Sequence, residues 1–480
     1  MNETVGHLVD GVWIRPQSGR ILELSNPADG QLRCRLPLAS ADEVADAVRA
    51  ARRAFDNGWD RSELSDRLAI LRSLINQIER YWEEFAQLIS FEIGAPIDFA
   101  RKHQVEAALG HLAATLSAAE RAQFDHPEPK QQPEHRVRYE AVGVAALITP
   151  WNWPLNQVAL KVGAALAAGC TMVLKPSELA PMTSTLLAQC MADSGVPDGV
   201  FNMLIGDGET GAALAKNTDI DIVSFTGSTR AGRAVATAAT RNFTRTALEL
   251  GGKSPNILFE DCDLETAIAQ GVAHCFRNAG QSCNAASRML VERTIYDQAE
   301  ELAADAARAT DVGLPNAAGT HIGPLVSNAQ FERVQTYIQT GLNEGARLVA
   351  GGPGRPEGLE TGYFARPTVF AGVASNMTIA REEIFGPVLA ISPFEDEEDA
   401  IRQANDTEYG LAAYLQTEDP AKADRVSRRL RAGMVQINGT SRAPGAPFGG
   451  VKASGIGREA GIWGIRTFQE IKSISGAAAL

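Results

Sequence analysis

Val142 to Lys175 reads VGVAALITPWNWPLNQVALKVGAALAAGCTMVLK, and this stretch decides the fold. Val144–Ile148 is an apolar run of strand length. Pro154 then opens an alanine-rich segment of helical length, and Thr171–Leu174 is a second strand-like run. The rhythm continues with a helix from Pro181, a strand over Phe201–Ile205, a helix over Gly211–Lys216, a strand over Ile222–Phe225 and a helix after Ser228. Strands separated by helices predict an α/β protein whose parallel sheet carries helices on both faces. Upstream, residues about 40–56 and 61–120 show apolar positions at helical spacing, and HPEPKQQPEH (His126 to His135) is a polar, proline-rich break or exposed arm. Downstream, a second α/β series runs from about Asn256 to about Gly433. It includes a helix after Tyr296, another over Gln330–Leu342, and a loop at Gly351–Gly358.

A chain of 480 residues exceeds one ordinary core and should divide into two or three domains. Its net charge of −13 argues against nucleic acid as partner, because phosphate backbones need a basic surface. An anionic cofactor stays open, since helix N-termini and a few lysines hold phosphate locally. The six cysteines are scattered, with no CxxC pair and no His/Cys cluster for a metal, so the expectation is a reducing cytoplasm and no metal. Met1 to Ile14 lacks a basic-then-apolar leader pattern, and no stretch reaches the roughly 18 apolar residues of a membrane span. The nearest, Val158 to Leu174, contains Lys161. The expectation is a soluble protein without membrane partners.

Three motifs sit at predicted strand ends. Gly206-Asp207-Gly208-Glu209-Thr210-Gly211 has the dinucleotide spacing between a strand and a helix, without a well-placed acid about 20 residues on. Phe225-Thr226-Gly227-Ser228-Thr229 could hold a pyrophosphate at a helix start, and Lys175-Pro176-Ser177-Glu178 could meet ribose hydroxyls. Each alone reads equally well as a structural turn, but together they mark where a nucleotide belongs in such a sheet. In Pro150-Trp151-Asn152-Trp153-Pro154, Asn152 is either a helix cap or an amide donor for an oxyanion. Cys283 follows Gly280-Gln281-Ser282 rather than lying inside an apolar run, as Cys170, Cys190 and Cys275 do. With no histidine close in sequence, a Cys–His dyad is unsupported, and activation could come from a backbone dipole, a lysine or a cofactor's positive ring. Glu249, about 34 positions earlier beside Gly251-Gly252, suggests a base for a covalent intermediate formed on that thiol.

Pro150-Trp151-Asn152, Lys175-Pro176-Ser177-Glu178, Phe225-Thr226-Gly227-Ser228, Glu249-Leu250-Gly251-Gly252-Lys253 and Asn278–Cys283 resemble, in order, the signature of the aldehyde dehydrogenase superfamily. Glu382-Glu383-Ile384-Phe385-Gly386-Pro387 and Pro447-Phe448-Gly449-Gly450 continue the likeness, followed by Ser454-Gly455 and Gly457-Arg458-Glu459. The resemblance implies that Cys283 attacks an aldehyde, that its own N–H and the Asn152 amide hold the oxyanion, and that hydride passes to NAD. Glu249 would then direct water at the thioester, with Lys175 also among the catalytic groups. By the same resemblance, Ile148, Trp151, Lys175, Ser177, Glu178, Gly208, Gly211, Phe225, Gly227, Ser228, Leu250, Glu383 and Phe385 line the cofactor site. A carboxylate at Glu178 would repel a 2′-phosphate, which favours NAD over NADP.

The resemblance further implies a Rossmann-like cofactor domain (1–120 and 142–253), a catalytic domain (254–440), and a small β arm (121–141 and 466–480) that pairs subunits into a dimer or tetramer. Residues 441–465 would return to the substrate channel. Trp153, Gln157, Leu160, Ser282, Asn284, Arg442 and Phe448 would wall the substrate pocket. Arg442 and Gln157 would make its mouth polar, suited to an aldehyde bearing a carboxylate or hydroxyl. The alternative for Arg442 is an arginine solvated on its loop. Two other readings of the whole chain are a coenzyme A-acylating semialdehyde dehydrogenase and a non-catalytic structural relative.

Overall fold

The computed structural model describes residues 6–127 and 135–476. Residues 1–5, most of the proline-rich segment (128–134) and the last four residues of the expected arm lie outside them. The stretch that opened the analysis forms the strand Val144–Ile148, the helix Pro154–Ala168 and the strand Thr171–Lys175. They lie in an eight-stranded sheet ordered Gly455–Ile456, Arg245–Glu249, Ile222–Thr226, Val144–Ile148, Thr171–Lys175, Phe201–Met203, His7–Val9, Val12–Ile14. The middle five strands pair in parallel. The outer ones are antiparallel, which the reading of a purely parallel sheet did not foresee. These edge strands come from distant segments too short to show a period of their own.

Helices cover both faces. Ala41–Asp56, Gly208–Lys216 and Thr229–Ala239 pack on one side, and Leu64–Arg80, Glu106–Arg121, Pro154–Ala168 and Pro181–Asp193 on the other. Every residue of the strand Val144–Ile148 is buried, as a strand covered on both faces requires. The Val144–Ile148 strand has the next strand in sequence, Thr171–Lys175, on one side and Ile222–Thr226 on the other. Strand order therefore reverses there, and the crevice beyond the carboxyl ends at such a reversal is where α/β proteins bind nucleotides.

A second, seven-stranded sheet is ordered Arg347–Ala350, Thr368–Ala371, Val388–Phe394, Arg288–Glu292, Pro255–Leu258, Ala412–Gln416, Met434–Ile437, with only the first strand antiparallel. Gln469–Ser475, His135–Ala141 and Asp125–Pro127 make a separate three-stranded antiparallel sheet. A hairpin of Ile21–Ser25 with Leu32–Pro37 stands apart from all three. No helix among the described residues is long and apolar enough to cross a membrane.

Candidate active site

Strand register brings the expected cofactor residues to one edge. Ile148 pairs with Lys175 on one side and Phe225 on the other, and Thr226 pairs with Glu249. Lys175 Nζ donates to Glu178 Oε2 at 3.1 Å, and Ser177 Oγ accepts from the Leu179 amide at 3.3 Å. The two glycine motifs separate here. Asp207 caps the helix Gly208–Lys216, accepting from the Glu209 and Thr210 amides, and is ion-paired with Arg20. A carboxylate already at that helix start repels phosphate, while Gly211 lies against the Ile148 and Lys175 side chains. The helix Thr229–Ala239 is capped by the neutral Ser228 hydroxyl, so its N-terminus keeps its attraction for an anion.

Opposite this edge, Glu383 Oε1 accepts from the Gly252 amide at 3.2 Å, and burial pushes the Glu383 carboxyl up to about 7. A Cβ on Gly251 would fall 2.5 Å from Glu383 Oε2, so a side chain there would push that carboxyl aside. The Trp151 ring meets Phe385 edge-on at 5.5 Å. The Leu250 amide donates to Ser454 O, and its side chain rests against Gly232.

The Cys283 loop owes its shape to three consecutive residues in left-handed conformation, Asn278, Ala279 and Gly280, with φ of 55°, 55° and 74°. Only glycine fits the third, because a Cβ there would lie 2.1 Å from Gly386 O. The loop is stitched to the strand-end segment beside it. Asn152 Nδ2 donates to Gln281 O at 3.0 Å, Asn278 Nδ2 returns a bond to Asn152 O at 2.9 Å, and Trp153 Nε1 donates to Ser282 Oγ at 3.0 Å. Gln281 Oε1 accepts from the Val326 amide at 2.9 Å. Asn278 and Gln281 stood in the quoted motif, but nothing local revealed that their amides join two loops.

Burial, then Glu383 and Glu249, raise the Cys283 thiol far above the ordinary range, opposed only by the Asn284 and Cys283 backbone amides. Of the activation sources considered, the backbone amides are the one the structure shows acting on Cys283. His274, nine positions upstream, corrects the view that no histidine is near: it lines the same cavity, but its bond goes to the Ala286 amide and not to Cys283.

Glu249 is buried at the end of its strand, and its Oε2 has no partner. Burial, then the like charge of Glu459, raise its pKa well above the usual carboxylate range, against Lys161 and Arg458. Lys161 Nζ is ion-paired with Glu459 and donates to Ser224 Oγ at 2.9 Å. Glu459 is fixed by paired backbone bonds with Phe448, and a Cβ on Gly449 would come within 2.4 Å of Glu249 Oε1. Lys161 and Glu459 were missed as members of the site. The available signal was a lone charge inside an apolar helix, which is costly unless paired.

A cavity of about 520 Å³ opens onto Cys283, and Trp153, Gln157, Ser282, Asn284 and Phe448 lie on its walls. Leu160, expected there, is buried and off the wall, one turn deeper in its helix. Arg442 reaches the wall, but it is not solvated on its loop. Half-buried, it donates to Ala443 O at 3.1 Å, to Ala446 O and to His111 Nε2 at 3.3 Å, with its guanidinium 5.3 Å from the Phe448 ring centre. It holds the loop that rims the cavity. Among the described residues no His, Cys, Asp and Glu side chains group as a metal site would require, and all six cysteines are free.

Residues 13–474 match the model of the aldehyde dehydrogenase family. A 3-succinoylsemialdehyde-pyridine dehydrogenase from a Pseudomonas species is 49% identical over 470 residues, covering 98% of each chain. A cysteine-to-alanine variant of aldehyde dehydrogenase C from Pseudomonas syringae, solved with NAD+ and octanal, superposes with a TM-score of 0.96 at 45% identity, covering 99% of this chain and 97% of its own. The aldehyde dehydrogenase of Bartonella henselae also gives 0.96, at 44% identity with 98% of each chain covered. The chain belongs to the aldehyde dehydrogenase family. It is an oxidoreductase that acts on aldehydes.

Proposed function

We propose that the protein oxidises an aldehyde to its carboxylic acid with NAD+, Cys283 carrying the covalent intermediate and Glu249 its hydrolysis. The observation that carries this reading is the half-buried Cys283 thiol, acted on by a buried carboxylate whose Oε2 has no partner and whose pKa is raised. Cys283 gives up its proton to solvent water in the open cavity and adds through Sγ to the carbonyl carbon. The Cys283 N–H and the second N–H of Asn152 Nδ2 face the oxygen that becomes negative. Bound NAD+ would supply the hydride acceptor, and loss of that hydride from the carbon leaves a thioester on Cys283. Glu249 then takes a proton from water, the water oxygen adds to the thioester carbon, and the C–S bond breaks to release acid and restore the thiol.

The chain's residues suit NAD+. Lys175 and Glu178 would hold the adenosine ribose, Gly227 and Ser228 the pyrophosphate, and Glu383 the other ribose. The buried, unpartnered Thr149 and Thr226 hydroxyls at the same strand ends are polar atoms awaiting a ligand. The octanal complex of the P. syringae protein supports an aldehyde as the substrate. The Pseudomonas relative, named for a semialdehyde bearing a pyridine, supports a substrate with a polar far end.

The test is purified protein with NAD+ or NADP+ and an aldehyde panel, read by absorbance of reduced nicotinamide. Turnover with NAD+ that coenzyme A does not accelerate is expected. Acceleration by coenzyme A would favour acyl transfer, and silence across the panel would sink the reading. The domain division and cytoplasmic setting belong to the same proposal. So does pairing of subunits through the three-stranded sheet, where Ile471 is 68% exposed. Light scattering that finds only monomer would overturn the last.

A further inference from the structure

One wall of the Cys283 cavity is built with care that the oxidation itself does not require. His274 sits in the last turn of the helix Leu264–Phe276, and its Nδ1 accepts from the Ala286 amide at 3.3 Å. A backbone amide only donates, so Nδ1 is the bare nitrogen and the neutral ring carries its proton on Nε2. Burial, then the Arg277 cation, hold the ring's pKa down to about 4, which keeps it neutral at physiological pH. Its plane is set by the Tyr414 ring, 4.6 Å away between centres. Tyr414 is anchored in turn by donating to Asn284 O at 2.8 Å. Among the described residues nothing accepts from His274 Nε2, so an oriented N–H donor faces the cavity.

Arg277, three residues on, lines the same wall. It is exposed and makes no hydrogen bond or ion pair among the described residues. Arg442 differs, because two carbonyls and His111 already occupy its guanidinium. No Asp or Glu lies among the described residues that line the cavity. A fixed donor and a free cation with no acid to neutralise them favour an electron-rich oxygen.

We infer that His274 and Arg277 form a specificity subsite for a keto or carboxylate oxygen carried by the substrate away from its aldehyde carbon. The inference rests on the reading that Cys283 takes an aldehyde in this cavity. A purely structural role for His274, holding Ala286 in place, would affect every substrate alike.

The experiment compares three five-carbon aldehydes with NAD+: pentanal, levulinaldehyde (keto) and glutaric semialdehyde (carboxylate). The wild type should prefer the two oxygen-bearing substrates in kcat/KM. Arg277→Gln should raise KM for glutaric semialdehyde about tenfold and His274→Phe that for levulinaldehyde about tenfold, with kcat held and pentanal unaffected. The phenyl ring keeps the packing on Tyr414. Arg277→Gln changes an exposed side chain, so it reports even if His274→Phe misfolds. Equal losses on all three aldehydes, or a wild type without preference, would overturn the subsite while leaving aldehyde oxidation intact. No turnover of any of the three would take down the reaction, and the subsite with it.

Discussion

The crevice around Cys283 and the mouth of its cavity are built on different principles. In the crevice, positions are set by backbone: a left-handed loop at Asn278–Gly280, strand ends in register at Thr226 and Glu249, and glycines where a Cβ would strike Gly386 or Glu249. Its side-chain amides mostly bond carbonyls, so little can shift without breaking several bonds at once. At the mouth, side chains from separate segments meet, among them Gln157, His274, Arg277, Tyr414 and Arg442. His274, Tyr414 and Arg442 each bond main chain, whereas the Gln157 and Arg277 side chains make no such bond among the described residues. Chemistry that must not vary is entrusted to backbone geometry, and recognition that must suit one substrate to exchangeable side chains.

That contrast can be broken by substitution. Cys283→Ala should abolish oxidation, by roughly 10³-fold or more, with an unchanged melting temperature. Appreciable residual turnover would show that another group starts the reaction. Glu249→Gln should lower steady-state turnover by roughly 10²–10⁴-fold yet still release one equivalent of reduced cofactor per site in a rapid burst, because only hydrolysis loses its base. A lost burst would place Glu249 in the first half-reaction instead.

Glu459→Gln sharpens the electrostatic part. Glu249 must be deprotonated to act, so kcat should rise with pH through its elevated pKa. Removing the like charge of Glu459 lowers that pKa. The rising limb of the kcat profile should therefore move to lower pH, and a move upward would contradict the assignment. The smallest effect belongs to the mouth. Trp153→Phe removes one bond to Ser282, which contributes about 1 kcal/mol, so kcat/KM should fall no more than about fivefold. A larger loss would mean that the mouth positions Cys283 as strictly as the crevice does.

Much of the crevice was legible because its parts are local. A strand, a glycine turn and a helix start follow one another within a few residues, so Phe225–Ser228 and Lys175–Glu178 stand out together at strand ends, though each alone reads as a structural turn. The left-handed run beside Cys283 was legible only as glycine and small polar residues. What the spacing could not reveal was the company each group keeps. Lys161 read as a charge interrupting an apolar helix, and its partner Glu459 lies 298 positions away. Arg442 offered a choice between solvent and substrate, and the fold gave it a third place on Phe448 and His111. Leu160, which the resemblance placed in the pocket, is buried in its helix and off the cavity wall.

By itself the sequence determined the α/β architecture and the family, and it singled out the thiol and carboxylate as candidates, because periodicity and short motifs depend on neighbours along the chain. Only the tertiary structure decided which side chains surround Glu249, which arginine stays free, and which nitrogen of His274 bears the proton. Those are settled by burial and by contacts between residues hundreds of positions apart, where hydrogen bonds and charges act through space and leave no local trace in the sequence.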